Sequence, residues 1–327
     1  MIHTYRLPGH RRLQAALWGA LQSILNGISQ IYFQASPLTG AVLLLALYVS
    51  KPALALAAVA GAVGANLLAY AMRLPHQQIR QGVYAYNAAL SGVALCAMYQ
   101  MNMALLVCLL VAIAASVAGA QLLPRWSRLP LLTAPFVLIM LSAGIAEHQT
   151  GYLLRLVLSA NTVAAPTSLI EYAFYALARA SFIATAPLGM LVFAALARQH
   201  WHQAIWALLG TVAAWLLLAA IDASGDADLQ QFFSLHAMGL GLNCALAAQC
   251  LCVQQRAWQW RLAGIVLTLL LGMLCAACGF SCFTLPFVLA CWTVLYLSAL
   301  AGLGSRSAVT PPSRRADRPD CRKNVKT

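Results

Sequence analysis

Apolar runs of membrane-spanning length follow one another along almost the whole chain, and no other feature restricts its fold as severely. They lie near residues 13–35, 38–72, 82–99, 103–123, 129–146, 165–198, 202–221, 230–253, 262–280 and 283–304, the second being divisible around Lys51 and Pro52. About 20 mostly apolar residues cross ~30 Å of hydrocarbon as a helix. In lipid a backbone N–H or C=O finds no water, so a spanning segment is a helix or part of a closed barrel. The runs lack the alternation of a barrel strand and therefore read as helices. Water is not the main solvent of this chain: 8% of its residues are charged, against about 25% in soluble domains.

The formal charge of +13 is concentrated at the ends. Seven of the twenty Lys and Arg residues follow Leu303, and Arg6, Arg11 and Arg12 precede the first apolar run. Such placement marks cytoplasmic flanks rather than a nucleic-acid surface, so both termini are expected on the cytoplasmic side, with an even number of spans between them. The tail is expected to be disordered, as a solvated topology signal or a contact for anionic lipid headgroups. No cleavable signal peptide is evident. Ten cysteines lie mostly inside apolar runs, where a thiol behaves as a small hydrophobe, and no histidine stands near the Cys275, Cys278 and Cys282 trio. Neither a metal site nor a cofactor is expected.

Internal repetition sets the organisation. Ser29–Leu47 resembles Arg179–Leu196 when Pro37-Leu38 is set on Pro187-Leu188. Val83–Cys96 resembles Gly239–Cys252 on Asn87 and Asn243, and Leu131–Leu138 resembles Cys282–Leu289 on Thr133 and Thr284. The same order of three matches makes the chain a duplication. The parts are a basic cytoplasmic N-terminus (1–12), a first membrane repeat (13–147), a connecting segment (148–165), a second membrane repeat (166–304) and a basic cytoplasmic tail (305–327). Five helices per half would insert the second half with opposite orientation, the design in which solute passes at the repeat interface between broken helices. Helix ends are expected at Ser36-Pro37, at Ala186-Pro187 and at the two Asn motifs. In each T-x-P-F the proline is expected to free backbone carbonyls toward a lumen.

Acid–base chemistry has no material here. Of seven Asp and Glu residues, three lie in the loop DASGDAD and two in the tail, leaving Glu147 and Glu171. No carboxylate pair or nucleophile with its base is visible, so no catalytic residue is named and the chain is not read as an enzyme. Ion-coupled transport, which uses intramembrane acids, is disfavoured for the same reason. Arg179 is read as a helix-end cation or a pore modulator. His236 is read as a helix-end side chain or a residue facing a pore.

LPLLTAPF (129–136), TLPF (284–287), GVYAYNAALSG (82–92) and SQIYFQASPLTG (29–40) together resemble the urea transporter family, over about Leu13 to Gly304. The resemblance implies an all-α integral membrane protein with two inverted repeats of about five spans around a pore, assembled as a homotrimer. It implies a pore lined by Gln30, Phe33, Tyr86, Leu90 and Thr133 from the first half, and by Leu242, Leu246 and Thr284 from the second. The implied function is passive conduction of urea past apolar slots and oxygen acceptors, with a bacterial inner membrane as the expected location. A related small amide or ammonia as solute, and a secondary active transporter of another small solute, are the alternatives. On the proline alignment Gln30 falls on Ala180, with Arg179 beside it. Tyr86 falls on Leu242, and the proline of LPLLT on Ser281.

Overall fold

The computed structural model describes residues 9–126, 129–156, 166, 168–183, 185–279 and 282–306. The tail from residue 307, residues 1–8, the second half of the connecting segment (157–165) and Ser281 lie outside the described residues, as do the expectations placed on them.

The first half consists of α1 (Gly9–Ser29), a 3-10 turn (Gln30–Tyr32), α2 (Pro37–Ser50), α3 (Pro52–Ala71), the short α4 (His76–Arg80), α5 (Tyr86–Met98), α6 (Met103–Trp126) and α7 (Ala134–Thr150). The second half consists of α8 (Leu169–Arg179), α9 (Ala186–Ala223), α10 (Ala227–Val253), α11 (Trp258–Ala277) and α12 (Leu285–Arg306). Among the described residues the secondary structure is helical apart from one isolated bridge, Tyr99 with Arg155.

Local chemistry starts and stops these helices. Ser36 is an extended N-cap whose hydroxyl accepts the Thr39 N–H at 3.3 Å, and Pro37 follows at a position where a missing donor does no harm. Ser168 caps α8 through the Glu171 N–H at 3.2 Å, and Asp226 caps α10 through the Leu229 N–H at 3.0 Å. Lys51 is extended (φ −164°, ψ 114°) and separates α2 from α3. His200 (φ −149°, ψ 85°) bends α9 at the corresponding place, so a 38-residue helix acts as two shorter ones.

Five of the described helices are long and apolar enough to cross a membrane, or six when the pair Leu13–Tyr32 and Pro37–Ser50, bent by 77°, counts as one span. That is fewer than the apolar runs of the sequence, because several runs form short elements: α5 has 13 residues and α8 has 11. The run 165–198 is divided between α8 and α9, and α7 continues three residues past the boundary expected at 147.

Close approach of backbones holds the bundle together, as is usual where small residues line membrane helix contacts. A Cβ on Gly40 would lie 2.0 Å from the Leu25 carbonyl oxygen, and one on Gly189 would lie 1.9 Å from that of Phe174. The two halves share one apolar core and several buried hydrogen bonds. The Tyr32 hydroxyl donates to the Leu177 carbonyl (2.8 Å) and accepts from the Ser181 hydroxyl (3.1 Å). Gln249 Nε2 donates to the Tyr32 carbonyl at 2.9 Å, and Trp292 Nε1 donates to that of Pro130 at 2.9 Å. Large apolar side chains such as Leu56, Leu110, Leu216 and Leu270 stand on the outside, as a lipid solvent permits.

Candidate functional site

Both T-x-P-F motifs fold into the same turn. Leu132 and Phe283, each at φ 48°, lie in the left-handed region immediately before the threonine, and α7 and α12 begin immediately after it. Pro135 and Pro286 occupy the second helical position, where no intrahelical carbonyl stands behind them. They start a helix rather than breaking one, so the expectation that they free carbonyls by disrupting a helix is corrected. The third helical N–H is taken up by an asparagine from a neighbouring helix. Asn87 Nδ2 donates to the Leu132 carbonyl (3.0 Å), and its Oδ1 accepts the Phe136 N–H (3.4 Å). Asn243 Nδ2 donates to the Phe283 carbonyl (2.8 Å), and its Oδ1 accepts the Phe287 N–H (3.2 Å). One amide thus satisfies a turn carbonyl and an orphan helix donor at once.

The asparagines differ in their own surroundings. Asn87 opens α5 as expected, whereas Asn243 lies within α10 and also bonds the Gly239 carbonyl one turn earlier at 2.8 Å. Gly82, at φ 79°, breaks the chain ahead of Asn87. Met238 stands in that place ahead of Asn243, and with a side chain present the helix runs through.

The two turns bring their threonines together. Thr133 Oγ1 and Thr284 Oγ1 are 2.7 Å apart, and both residues are buried. One hydroxyl donates to the other, which leaves the pair with one O–H and several lone pairs for a third molecule. Around it the aromatic rings cross between halves: Phe33 lies 5.9 Å from Phe287, Phe182 lies 6.4 Å from Phe136, and Phe136 lies 6.0 Å from Phe283 between ring centroids.

Phe33 and Phe182 share a backbone conformation, at φ 59° and 60°, and donate to the Gln30 and Arg179 carbonyls at 2.9 Å in each case. The counterpart of Gln30 is therefore Arg179, and Ala180 is a buried neighbour. The proline alignment is one residue out because Pro37 is the first residue of α2 while Pro187 is the second of α9. Phe182, absent from the sequence-derived set, is the partner of Phe33. The spacing Gln30-x-x-Phe33 and Arg179-x-x-Phe182 carries that relation without the prolines.

A cavity of about 650 Å³ opens on the second half, lined among others by Arg179, Phe182, Leu242, Asn243, Phe283 and Thr284. At about 30 Å³ per water it has room for about 20 waters, which makes it a vestibule rather than a filter. His236 also lines it, together with Lys51. Leu246 is buried one turn along α10 from Leu242, as Leu90 is one turn from Tyr86 on α5. The Tyr86 hydroxyl donates to the Leu132 carbonyl, so it is engaged by backbone. Gln30 Nε2 donates to the Gln81 carbonyl at 3.2 Å, which leaves Oε1 as an acceptor. Of the sequence-derived residues, the cavity gathers Arg179, Leu242 and Thr284. Gln30, Phe33, Tyr86, Leu90, Thr133 and Leu246 lie outside its lining.

Among the described residues, no carboxylate lines this cavity. Glu147 is held elsewhere, by Arg155 at 2.7 Å and by the Tyr99 hydroxyl at 3.0 Å. No cluster of three or more His, Cys, Asp or Glu side chains able to hold a metal occurs among the described residues. The family model described as "UT: Urea transporter" matches residues 21–299.

Proposed function

This chain belongs to the urea transporter family, and we propose that it is a passive channel whose solute path runs past the Thr133–Thr284 pair. The observation that carries the reading is that pair: two buried hydroxyls 2.7 Å apart, each presented by the same Asn-braced turn from a different half of the chain.

Urea is flat, neutral and rich in N–H donors. Its faces suit the rings of Phe33 and Phe182 and the side chains of Leu90, Leu242 and Leu246. Its edges meet acceptors in turn, at Gln30 Oε1 and then at the threonine oxygens. Each acceptor replaces part of the lost hydration, and selectivity of this kind follows from pore width and lining groups. A bare ion at the threonines would meet buried, uncharged surroundings, and ions are strongly disfavoured there. With no carboxylate in the vestibule to carry a coupling cation, a channel is favoured over an ion-coupled transporter.

The reading extends to halves of opposite orientation, to a homotrimer and to a bacterial inner membrane with cytoplasmic ends. The cytoplasmic placement of the ends rests on the basic flanks of the chain. The test is stopped-flow light scattering on proteoliposomes challenged with urea, formamide, acetamide, ammonia and glycerol. Urea influx well above that of empty vesicles, with glycerol excluded, is the expected result. Glycerol entering as fast as urea removes the slot argument, and fast ammonia or acetamide without urea moves the solute assignment to the alternative.

A further inference from the structure

Arg179 occupies, by backbone geometry, the place that Gln30 holds in the first half. The exchange replaces a neutral acceptor with a permanent cation carrying only donors. Arg179 ends α8, where helix carbonyls favour a positive charge, yet no hydrogen bond or ion pair joins its side chain to any described residue. Its cavity contains a second cation, Lys51, again without an ion pair, and the titratable groups facing both are His236 and the thiols of Cys275 and Cys282. A cavity lined, among the described residues, by two cations outside any ion pair and by no carboxylate concentrates small anions.

We propose that the second-half vestibule is a binding site for a small planar monoanion of the carboxylate type, held by the Arg179 guanidinium with Lys51 as the second charge. A guanidinium fork matches two carboxylate oxygens, and apolar walls at Phe182, Leu242 and Phe283 suit the flat face of such an ion. The anion stops there. Thr284 in the same lining and its hydrogen-bonded partner Thr133 are buried and uncharged, and offer nothing to balance a charge. Occupancy therefore blocks the path at its mouth. Only that consequence rests on the channel reading; the binding itself does not.

The probe is formate at pH 8, compared with chloride at equal ionic strength on both sides of the membrane. Two readouts are taken on the full chain: thermal unfolding in detergent and urea influx in proteoliposomes. Formate should raise the unfolding temperature and lower urea influx saturably where chloride does neither. Arg179→Gln should weaken the apparent formate affinity about tenfold or more, the scale of one charge-assisted contact. Arg179→Lys, which keeps the charge without the fork, and Lys51→Gln should give intermediate losses. Should Arg179→Gln fail to fold, these two variants carry the test. Formate acting no differently from chloride on folded wild type overturns the proposal, and so does wild-type formate sensitivity in every variant that folds. A formate-induced thermal shift lost in the Arg179 variants, in a protein that passes no urea, upholds the anion site and removes the channel reading.

Discussion

Replacing the two central threonines by valine, singly and together, separates their structural role from their conducting one. Thr133 and Thr284 are buried, and their hydroxyls are 2.7 Å apart. Thr133→Val leaves the Thr284 hydroxyl buried without its partner, and Thr284→Val does the reverse; an orphaned buried group of this kind costs about 1–3 kcal/mol. In the double variant two methyl groups face each other, and replacing both partners with apolar groups of the same shape is nearly neutral. Independent sites would add, giving about 2–6 kcal/mol. The double variant should instead recover to within about 1 kcal/mol of wild type.

Urea influx should follow the opposite course. Each single variant removes one oxygen from the proposed path, a contribution of about 1 kcal/mol, or roughly fivefold in rate. The double variant should therefore fall about 25-fold. Denaturant titration in mixed micelles reads the first quantity and stopped-flow influx the second. Refutation takes the form of a double variant whose loss of stability equals the sum of the singles, or one that conducts urea at the wild-type rate. A Thr133→Ser, Thr284→Ser variant, which retains both hydroxyls, should conduct within about twofold of wild type.

Other consequences follow from individual contacts. Asn87→Ala strands the Phe136 N–H and leaves the Leu132 carbonyl to the Tyr86 hydroxyl alone, and should lower stability by about 1–3 kcal/mol, read as a fall in folded yield and denaturant midpoint. Gly189→Ala sets a methyl group 1.9 Å from the Phe174 carbonyl oxygen and should not yield folded protein, whereas Gly144→Ala, where nothing lies within 4 Å, should fold with stability changed by no more than about 1 kcal/mol; size-exclusion chromatography distinguishes the two. Phe182→Ala, which removes one aromatic wall of the proposed path, should raise the influx of methylated ureas relative to that of urea. Arg155→Ala breaks the ion pair with Glu147, but the arginine side chain is 59% exposed, so stability should change by less than about 1 kcal/mol.

How far the sequence could be read depends on what each motif determines physically. Threonines in two T-x-P-F motifs pointed to a shared site because a proline near a helix start and a hydroxyl just before it restrict the local fold closely. The order of the apolar runs pointed to helices for the equally direct reason of solvent. The one-residue offset that hides Arg179 and Phe182 was not legible from the prolines, because a proline fits the first or the second helical position without penalty. Nor was the number of spans, since an apolar run of given length forms a long helix, a short one or a bent pair according to where caps such as Ser36 and Ser168 fall. Asn243 lies inside a helix while Asn87 opens one, a difference set by Met238 replacing Gly82 ahead of it, outside the motif that made the two look alike.

The channel claim is tested most directly by the concentration dependence of urea entry. Tracer influx into proteoliposomes is measured with identical salt and pH on both sides, over a wide range of urea concentration, with and without urea preloaded inside. The account predicts rates that rise linearly into the high millimolar range, require no ion gradient and are not accelerated by internal urea. Influx that saturates at low concentration, depends on an imposed proton or sodium gradient, or speeds up with internal urea would contradict it and identify an alternating-access transporter instead.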